Sequence, residues 1–275
     1  MSSLTNAGSM QGDYEPAEIE IAMSMATMMF MVADDDDVDW ENTKHFLLIG
    51  FLGMFVGAIV FYYLSMNKKE KKLHETLMFL VAVTSAAAYY LMWSGFGVVK
   101  KTDSAGKERL VFFAHFIERL LTTPLLLYSI CDLTNAAKGE TVMILGLDML
   151  MVASSTIGAT QLRPWKWFWW TVGIAFFVLL ALQVWSLYSK AKESGNSYAA
   201  GLQVLVMILL VSFIVYPTVW VLGEEGLQAI SINMESGLYV LVDLVSKIVF
   251  GLYLLFAVLG SEEQDSEGAE KTSLV

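Results

Sequence analysis

The residues of this chain that could do chemistry are ionisable groups set inside apolar stretches. Lys247 lies near the midpoint of Gly237 to Leu259, where an unpaired ammonium would cost several kcal/mol in lipid. Asp243 stands at i−4, one helical turn earlier on the same face. Two readings account for the pair: an ion pair within the membrane, or a lysine whose amine condenses with a carbonyl ligand to give a Schiff base. His115, Glu118 and Arg119 share another apolar run and Asp148 lies in a third, so each is a candidate functional residue on the same ground.

The elements that must position these groups are helices crossing a bilayer. Apolar residues make up 56% of the chain, charged residues 16%, and the mean hydropathy is +0.57, a combination that excludes an ordinary soluble domain. Seven runs of roughly 19 to 24 residues are long enough to span: Phe46 to Met66, Thr76 to Val99, Leu110 to Cys131, Thr141 to Ala159, Trp167 to Tyr188, Gly201 to Leu222 and Gly237 to Leu259. Short polar connections between them predict an all-α membrane protein, a single seven-helix bundle over residues 45–260. Acidic residues before the first span (Asp34 to Asp37) and the lysines of Asn67 to Glu75 after it place the N-terminus outside. The basic segment Lys100 to Arg109 runs against that rule.

Residues 1–44 form an extracellular segment. Within it, Ile21 to Ala33 is a short Met-rich run that reads as an interfacial helix or, alternatively, as a signal sequence whose leading region lacks lysine and arginine. Residues 261–275 form a polar cytoplasmic tail, and much of the net charge of −11 lies in these two ends. The single cysteine, Cys131, excludes an internal disulfide, and no Cys/His spacing predicts a metal site. His45 and His74 fall at loop edges, where solvation is expected.

The third and seventh spans both enter from outside, so a rise of about 1.5 Å per residue puts Glu118 about 13 Å deep, Asp243 about 10 Å and Lys247 about 16 Å. Two carboxylates can therefore flank one buried cation, as a protonated Schiff base requires. Trp169, Trp170, Phe177, Phe213, Tyr216, Trp220 and Tyr89 supply rings enough to line a slot for a long, flat, apolar molecule, although each alone is explained by ordinary helix packing.

In its motifs the chain resembles the microbial rhodopsin family, across all seven spans. The seventh carries Asp243-Leu-Val-Ser-Lys247 followed by Phe250-Gly251. The third reads Glu118-Arg-Leu-Leu-Thr122-Thr123-Pro124-Leu-Leu-Leu127, similar to D-W-L-x-T-T-P-L-L-L. The sixth has Tyr216-Pro217-Thr-Val-Trp220, and the fifth has Trp169-Trp170. The resemblance implies all-trans retinal joined to Lys247 and isomerising in light, with Glu118 as primary counterion and proton acceptor and Asp243 as second counterion. It implies that Thr122 supports Glu118, that Tyr89 and Tyr216 hydrogen-bond Asp243, and that Thr123 and Asp148 form a polar contact between helices. Leu126, Met151, Ser155, Trp170, Phe177, Phe213 and Trp220 fall at pocket positions, with Leu126 suggesting green absorption. Glu225 and Glu235 match the extracellular proton-release acids, or else form a solvated rim.

Three departures bear on function. His115 stands where relatives have arginine, and Arg119 where they have tryptophan. A guanidinium keeps its charge, so Arg119 calls for Glu118, Asp243 or a bound chloride, unless it snorkels or pairs elsewhere. Ser129 occupies the position of the internal proton donor, opposite Met78. A hydroxyl is too weak an acid for that task, and Asp132 one turn further in is either a substitute or a solvated helix end, so a slow photocycle is expected. The chain then reads as a light-driven outward proton pump, an ion translocase and not a classical enzyme. The alternative is a sensory photoreceptor working through a transducer protein, and a light-gated channel is a weaker third. The partners expected are the lipid bilayer, protons and further copies of the chain in a homo-oligomer.

Overall fold

The computed structural model describes residues 38–67, 73–102 and 108–260, so the run Ile21 to Ala33 and the tail from Ser261 lie outside the described residues. The seven apolar runs become seven helices: α1 Val38–Asn67, α2 Leu73–Trp93, α3 Phe113–Leu133, α4 Lys138–Thr160, α5 Trp165–Glu193, α6 Ala199–Leu222 and α7 Ile232–Val258. Six are long and apolar enough to cross a membrane; α3 is the exception, because His115, Glu118 and Arg119 lower its mean hydropathy. Successive helices pack side by side, and α7 closes the ring against α1.

Each helix turns its larger apolar side chains both inward and outward. In α1, Leu47, Met54 and Phe61 are buried while Ile49, Leu52, Phe55 and Val56 are exposed. In water such exposure would be costly, but a hydrocarbon surround makes it neutral, and packing then depends on close approach of small residues. Gly50 is one such residue: a Cβ there would come within 2.7 Å of the Tyr89 ring, so glycine in α1 leaves the space that Tyr89 of α2 fills.

The second and third spans are shorter than the hydropathy runs suggest. Gly95, at φ +85°, ends α2 in the left-handed conformation that glycine adopts without a Cβ clash. Val99, expected in the second span, instead begins β1 (Val99–Thr102), and Leu110, expected in the third, lies in β2 (Glu108–Val111). The two strands pair antiparallel with Val99 opposite Val111 and Lys101 opposite Arg109. β-Branched residues after a helix-ending glycine favour extended backbone over another helical turn. The hairpin also accounts for its basic character. Lys101 Nζ donates to Thr160 O at 2.9 Å and Arg109 Nη2 to Ala159 O at 2.9 Å, satisfying carbonyls at the C-terminal end of α4, where positive charge is favourable. Burial lowers the Lys101 ammonium from its usual value, assisted by the neighbouring Arg109.

In α7 the winding changes around Lys247. Ile232–Asp243 is α-helical, Leu244–Val249 is π-helical, Phe250–Leu252 returns to α, and Tyr253–Val258 is π again. Such wide turns are rare and cluster at functional sites. Lys247 sits inside the first.

Candidate functional site

α7 and α3 carry the charged centre, and α2 and α6 supply its polar support. Lys247 Nζ lies 2.7 Å from Asp243 Oδ1 and 2.7 Å from Glu118 Oε1. Lys247, Glu118 and Asp243 are 1%, 2% and 0% exposed, so water does not screen these contacts and each charge depends on its neighbours. Asp243 also accepts from Tyr89 Oη at 2.6 Å, and from Tyr216 Oη through a short hydrogen bond. Thr122 Oγ1 donates to Glu118 Oε1 at 3.0 Å, as does Ser85 Oγ at 2.5 Å. Glu118 Oε2, equally buried, has no partner among the described residues.

Arg119 and His115 extend this centre toward the hairpin end of the bundle. Among the described residues Arg119 makes no ion pair with Glu118 or Asp243, the carboxylates expected for it. Its guanidinium lies 3.7 Å from the Tyr216 ring centre and 4.9 Å from that of Tyr239, an arrangement in which π faces take the place of a carboxylate. Arg119 Nη2 is 2.8 Å from His115 Nε2, which is also 3.3 Å from Asp243 Oδ2. His115 thus enters the centre through the same nitrogen that meets Arg119.

Beside this centre lies a chamber among α3, α4, α5 and α6. Phe116, Trp170, Phe177, Phe213, Tyr216 and Trp220 form its aromatic wall, with Met151, Ser155, Thr123 and Arg119 also facing it. The space is walled mostly by apolar and aromatic side chains with a few polar groups among them, the character of sites for organic ligands. Tyr216 joins chamber and centre, because its ring lines the one and its hydroxyl bonds Asp243 in the other. Leu126 and Asp148 are not in this lining. Leu126 is packed in the core, and Asp148 Oδ2 accepts from Thr123 Oγ1 at 2.6 Å, a fastening between α4 and α3.

A second, smaller space of about 260 Å³ separates the centre from the hairpin end, lined by Phe112, His115, Phe116, Arg119, Glu225, Glu235 and Tyr239. Glu225 and Glu235 are 5% and 3% exposed, which corrects the expectation of a solvated rim. Lys166 Nζ donates to the Glu225 and Gly226 carbonyls at 2.8 and 3.2 Å, and Glu235 Oε2 accepts from the Glu224 amide at 2.8 Å. These bonds fold the 223–231 connection inward and bury its acid. Burial pushes the Glu225 carboxyl up to about 7, against the opposing pull of Arg109, Arg119 and Lys166.

At the other end Ser129 Oγ donates, among the described residues, to Leu125 O alone, at 3.1 Å, within an apolar core that includes Met78 and Ile130. His74, expected to be solvated, is buried, with Nε2 3.1 Å from Asp132 Oδ2. Asp132 remains exposed on its outer side but is held by that pair. Its neighbour Leu73 opens α2, so the ring of His74 is turned inward by the first turn of the helix.

Sequence reasoning did not single out Ser85, Tyr239 or Lys166. Ser85 was within reach of it, since it lies at i−4 from Tyr89 and therefore on the same face of α2. Tyr239 stands likewise at i−4 from Asp243. Lys166 reads as an interfacial charge, and only the folded connection reveals its partners.

The sequence profile described as Bacteriorhodopsin-like protein matches residues 41–261. Archaerhodopsin-1 from Halorubrum ezzemoulense is 31% identical over 236 residues, covering 82% of this chain and 89% of its own. The crystal structure of the light-driven proton pump Coccomyxa subellipsoidea rhodopsin superposes with a TM-score of 0.75 at 27% identity, over 78% of this chain and 96% of that one. Halorhodopsin, a light-driven chloride pump, shares the fold with a TM-score of 0.75 at 22% identity, over 81% of this chain and 97% of its own.

Proposed function

The chain belongs to the bacteriorhodopsin-like family of microbial rhodopsins, integral multi-pass membrane proteins with a retinal chromophore, and from that premise we propose that it is a light-driven outward proton pump with all-trans retinal held at Lys247. The chamber fits such a group: it is apolar and aromatic, and an amine flanked by two carboxylates stands beside it. Bound there, retinal supplies a Schiff base at Nζ and the light-driven isomerisation that turns this nitrogen and changes its proton affinity. The protein's part is to hold a proton at Nζ in the dark and to accept it afterwards.

The observation that carries the reading is the unequal state of the two carboxylates. Both oxygens of Asp243 are engaged, by Tyr89, Tyr216 and Lys247. Such donors favour a charged carboxylate. Glu118 has its bonds on Oε1 and a bare, buried Oε2, so a proton arriving there relieves an unsatisfied acceptor. Glu118 is therefore the proton acceptor and Asp243 the standing counterion. A chloride cycle is disfavoured, because the place beside Nζ that an anion would take is filled by Glu118.

Outward of the centre, Glu225 and Glu235 form the exit. With its carboxyl at about 7, Glu225 is ionised above that pH and able to take a proton; below it the site is already occupied. Proton appearance in the medium is thus expected to lag as external pH falls below about 7, and Glu225→Gln should make release late on both sides of that pH, removing its pH dependence. Flash measurements with a pH-sensitive dye on either side of neutrality check this; equal timing at both would show that Glu225 is not on the route.

Ser129 bears no acid, and the ionisable groups described at that end of α2 and α3 are His74, Glu75 and Asp132, in the first turn of the one and the last of the other, so return of a proton to Nζ is slow. Slow return is also what a sensory photoreceptor needs, and this is the observation that favours the second reading. Illumination of vesicles containing the pigment separates the two. Sustained acidification of the side facing the hairpin, abolished by a protonophore and indifferent to replacing chloride with sulfate, is expected of the pump. A long-lived photoproduct with no pH change would assign the protein to signalling.

A further inference from the structure

The exchange of arginine for histidine at position 115 gives the charged centre an outlet that a guanidinium could not provide. His115 is common to two sites. Its Nε2 is 3.3 Å from Asp243 Oδ2, and its ring lines the space that holds Glu225 and Glu235. Nδ1 has no hydrogen-bond partner among the described residues. The groups facing the ring are Asp243 and Tyr239 of α7, Tyr89 of α2, Arg119 and Glu118 of its own helix, Lys247, and the two acids across the small space.

These neighbours define the resting ring. Arg119 can only donate and a charged Asp243 can only accept, yet both address Nε2, at 2.8 and 3.3 Å. With Lys247 and Arg119 balancing Glu118 and Asp243, a neutral ring keeps the centre uncharged overall, with its proton on Nδ1 and its Nε2 lone pair turned to Arg119. Arg119 does not depend on that bond for its place, since it is stacked on Tyr216 and Tyr239. Nε2 is consequently free to change partners.

We propose that His115 is the proton relay between the counterion centre and the exit acids. The step rests on the proton-pump reading above. After Glu118 has taken the proton from Lys247 Nζ, it passes it to Asp243, whose carboxylate lies within 4.8 Å of its own and of His115; the O–H bond so formed on Asp243 then breaks as an Nε2–H bond forms, leaving a carboxylate and an imidazolium. The bond from Arg119 Nη2 is given up. The imidazolium then loses its Nδ1 proton to the carboxylate of Glu225 or Glu235, and the ring returns to neutrality with its remaining proton on Nε2. Exchange between the two nitrogens through the small space restores the resting tautomer. An imidazole carries a proton in this way because it has two nitrogens and titrates near neutrality; an arginine in its place keeps all its protons.

Two measurements on the full-length pigment test the relay. The chain has three histidines, His45, His74 and His115, so ring nitrogen NMR of the nitrogen-15-histidine protein can be assigned with His115→Gln. In the dark, His115 is expected as a neutral ring protonated on one nitrogen. In the photoproduct trapped after Nζ deprotonation it is expected as imidazolium. A His115 signal that is unchanged between the two states overturns the relay, whether or not the protein pumps. In vesicles, His115→Gln retains an acceptor for Arg119 but cannot carry a proton. Release to the medium should then fall about a hundredfold behind Nζ deprotonation, the scale of losing one general acid–base. Wild-type release timing in the variant would also overturn the proposal. Absence of release from the wild type, together with a transient imidazolium, would sink the pump and leave the transfer to His115 standing.

Discussion

Lys247→Ala is expected to leave a folded, colourless protein: addition of all-trans retinal should give no visible pigment band, only the near-ultraviolet absorbance of the free aldehyde. The expected loss is complete. Nζ is the amine set beside the aromatic chamber, and the other lysine buried among the described residues, Lys166, is engaged by the Glu225 and Gly226 carbonyls at the hairpin end. The substitution also removes the cation that Glu118 and Asp243 share, and breaking a buried ion pair in this way costs about 3–5 kcal/mol. A parallel Lys247→Met variant, closer in volume, keeps the helix contacts while removing the amine, so loss of colour in both distinguishes missing chemistry from misfolding. A visible band in either variant would mean that retinal is attached elsewhere.

Glu118→Gln carries the second large effect. The amide preserves the shape of the side chain and can still accept from Ser85 and Thr122, but it cannot take up a proton. Pigment should form, because Asp243 remains as counterion. Light-driven acidification should fall about a hundredfold or more, as expected for loss of the proton acceptor. The absorption maximum should shift to longer wavelength, since one of the two negative charges at 2.7 Å from Nζ is gone. External pH under continuous light and the dark spectrum are the two readouts. Undiminished acidification would transfer the acceptor role to Asp243.

The sequence made the bundle legible because spanning a bilayer imposes a length and a composition that water-soluble helices need not obey. The charged centre was legible for a related reason. Lys247, Asp243 and Glu118 are conspicuous where charge is expensive, and their depths along two helices that enter from the same side agree. The polar environment of the centre was less visible. Ser85 and Tyr239 look unremarkable in an apolar run until helix rotation turns them inward. Arg119 was expected to seek an anion; the stacking on Tyr216 and Tyr239 that it adopts depends on how α3 and α6 face one another, which spacing along one helix does not encode. The ends of α2 and α3 were misplaced for a local reason, since hydropathy does not distinguish the strand residues Val99 and Leu110 from helix. His74, Glu225 and Glu235 were expected in solvent because position near a connection was read as exposure. In the folded chain Asp132 and Lys166 draw those segments inward.

The wide turns of α7 have a mechanical consequence. A π turn holds one residue more than an α turn, so the backbone on either side of Lys247 carries slack that a regular helix lacks. One residue more or less in such a turn corresponds to about 1.5 Å along the axis and roughly a quarter of a circle about it. Two π stretches separated by Phe250–Leu252 give α7 two such places. The helix that bears Lys247 is therefore wound more loosely from Leu244 onward than along its α-helical first part, which carries Asp243.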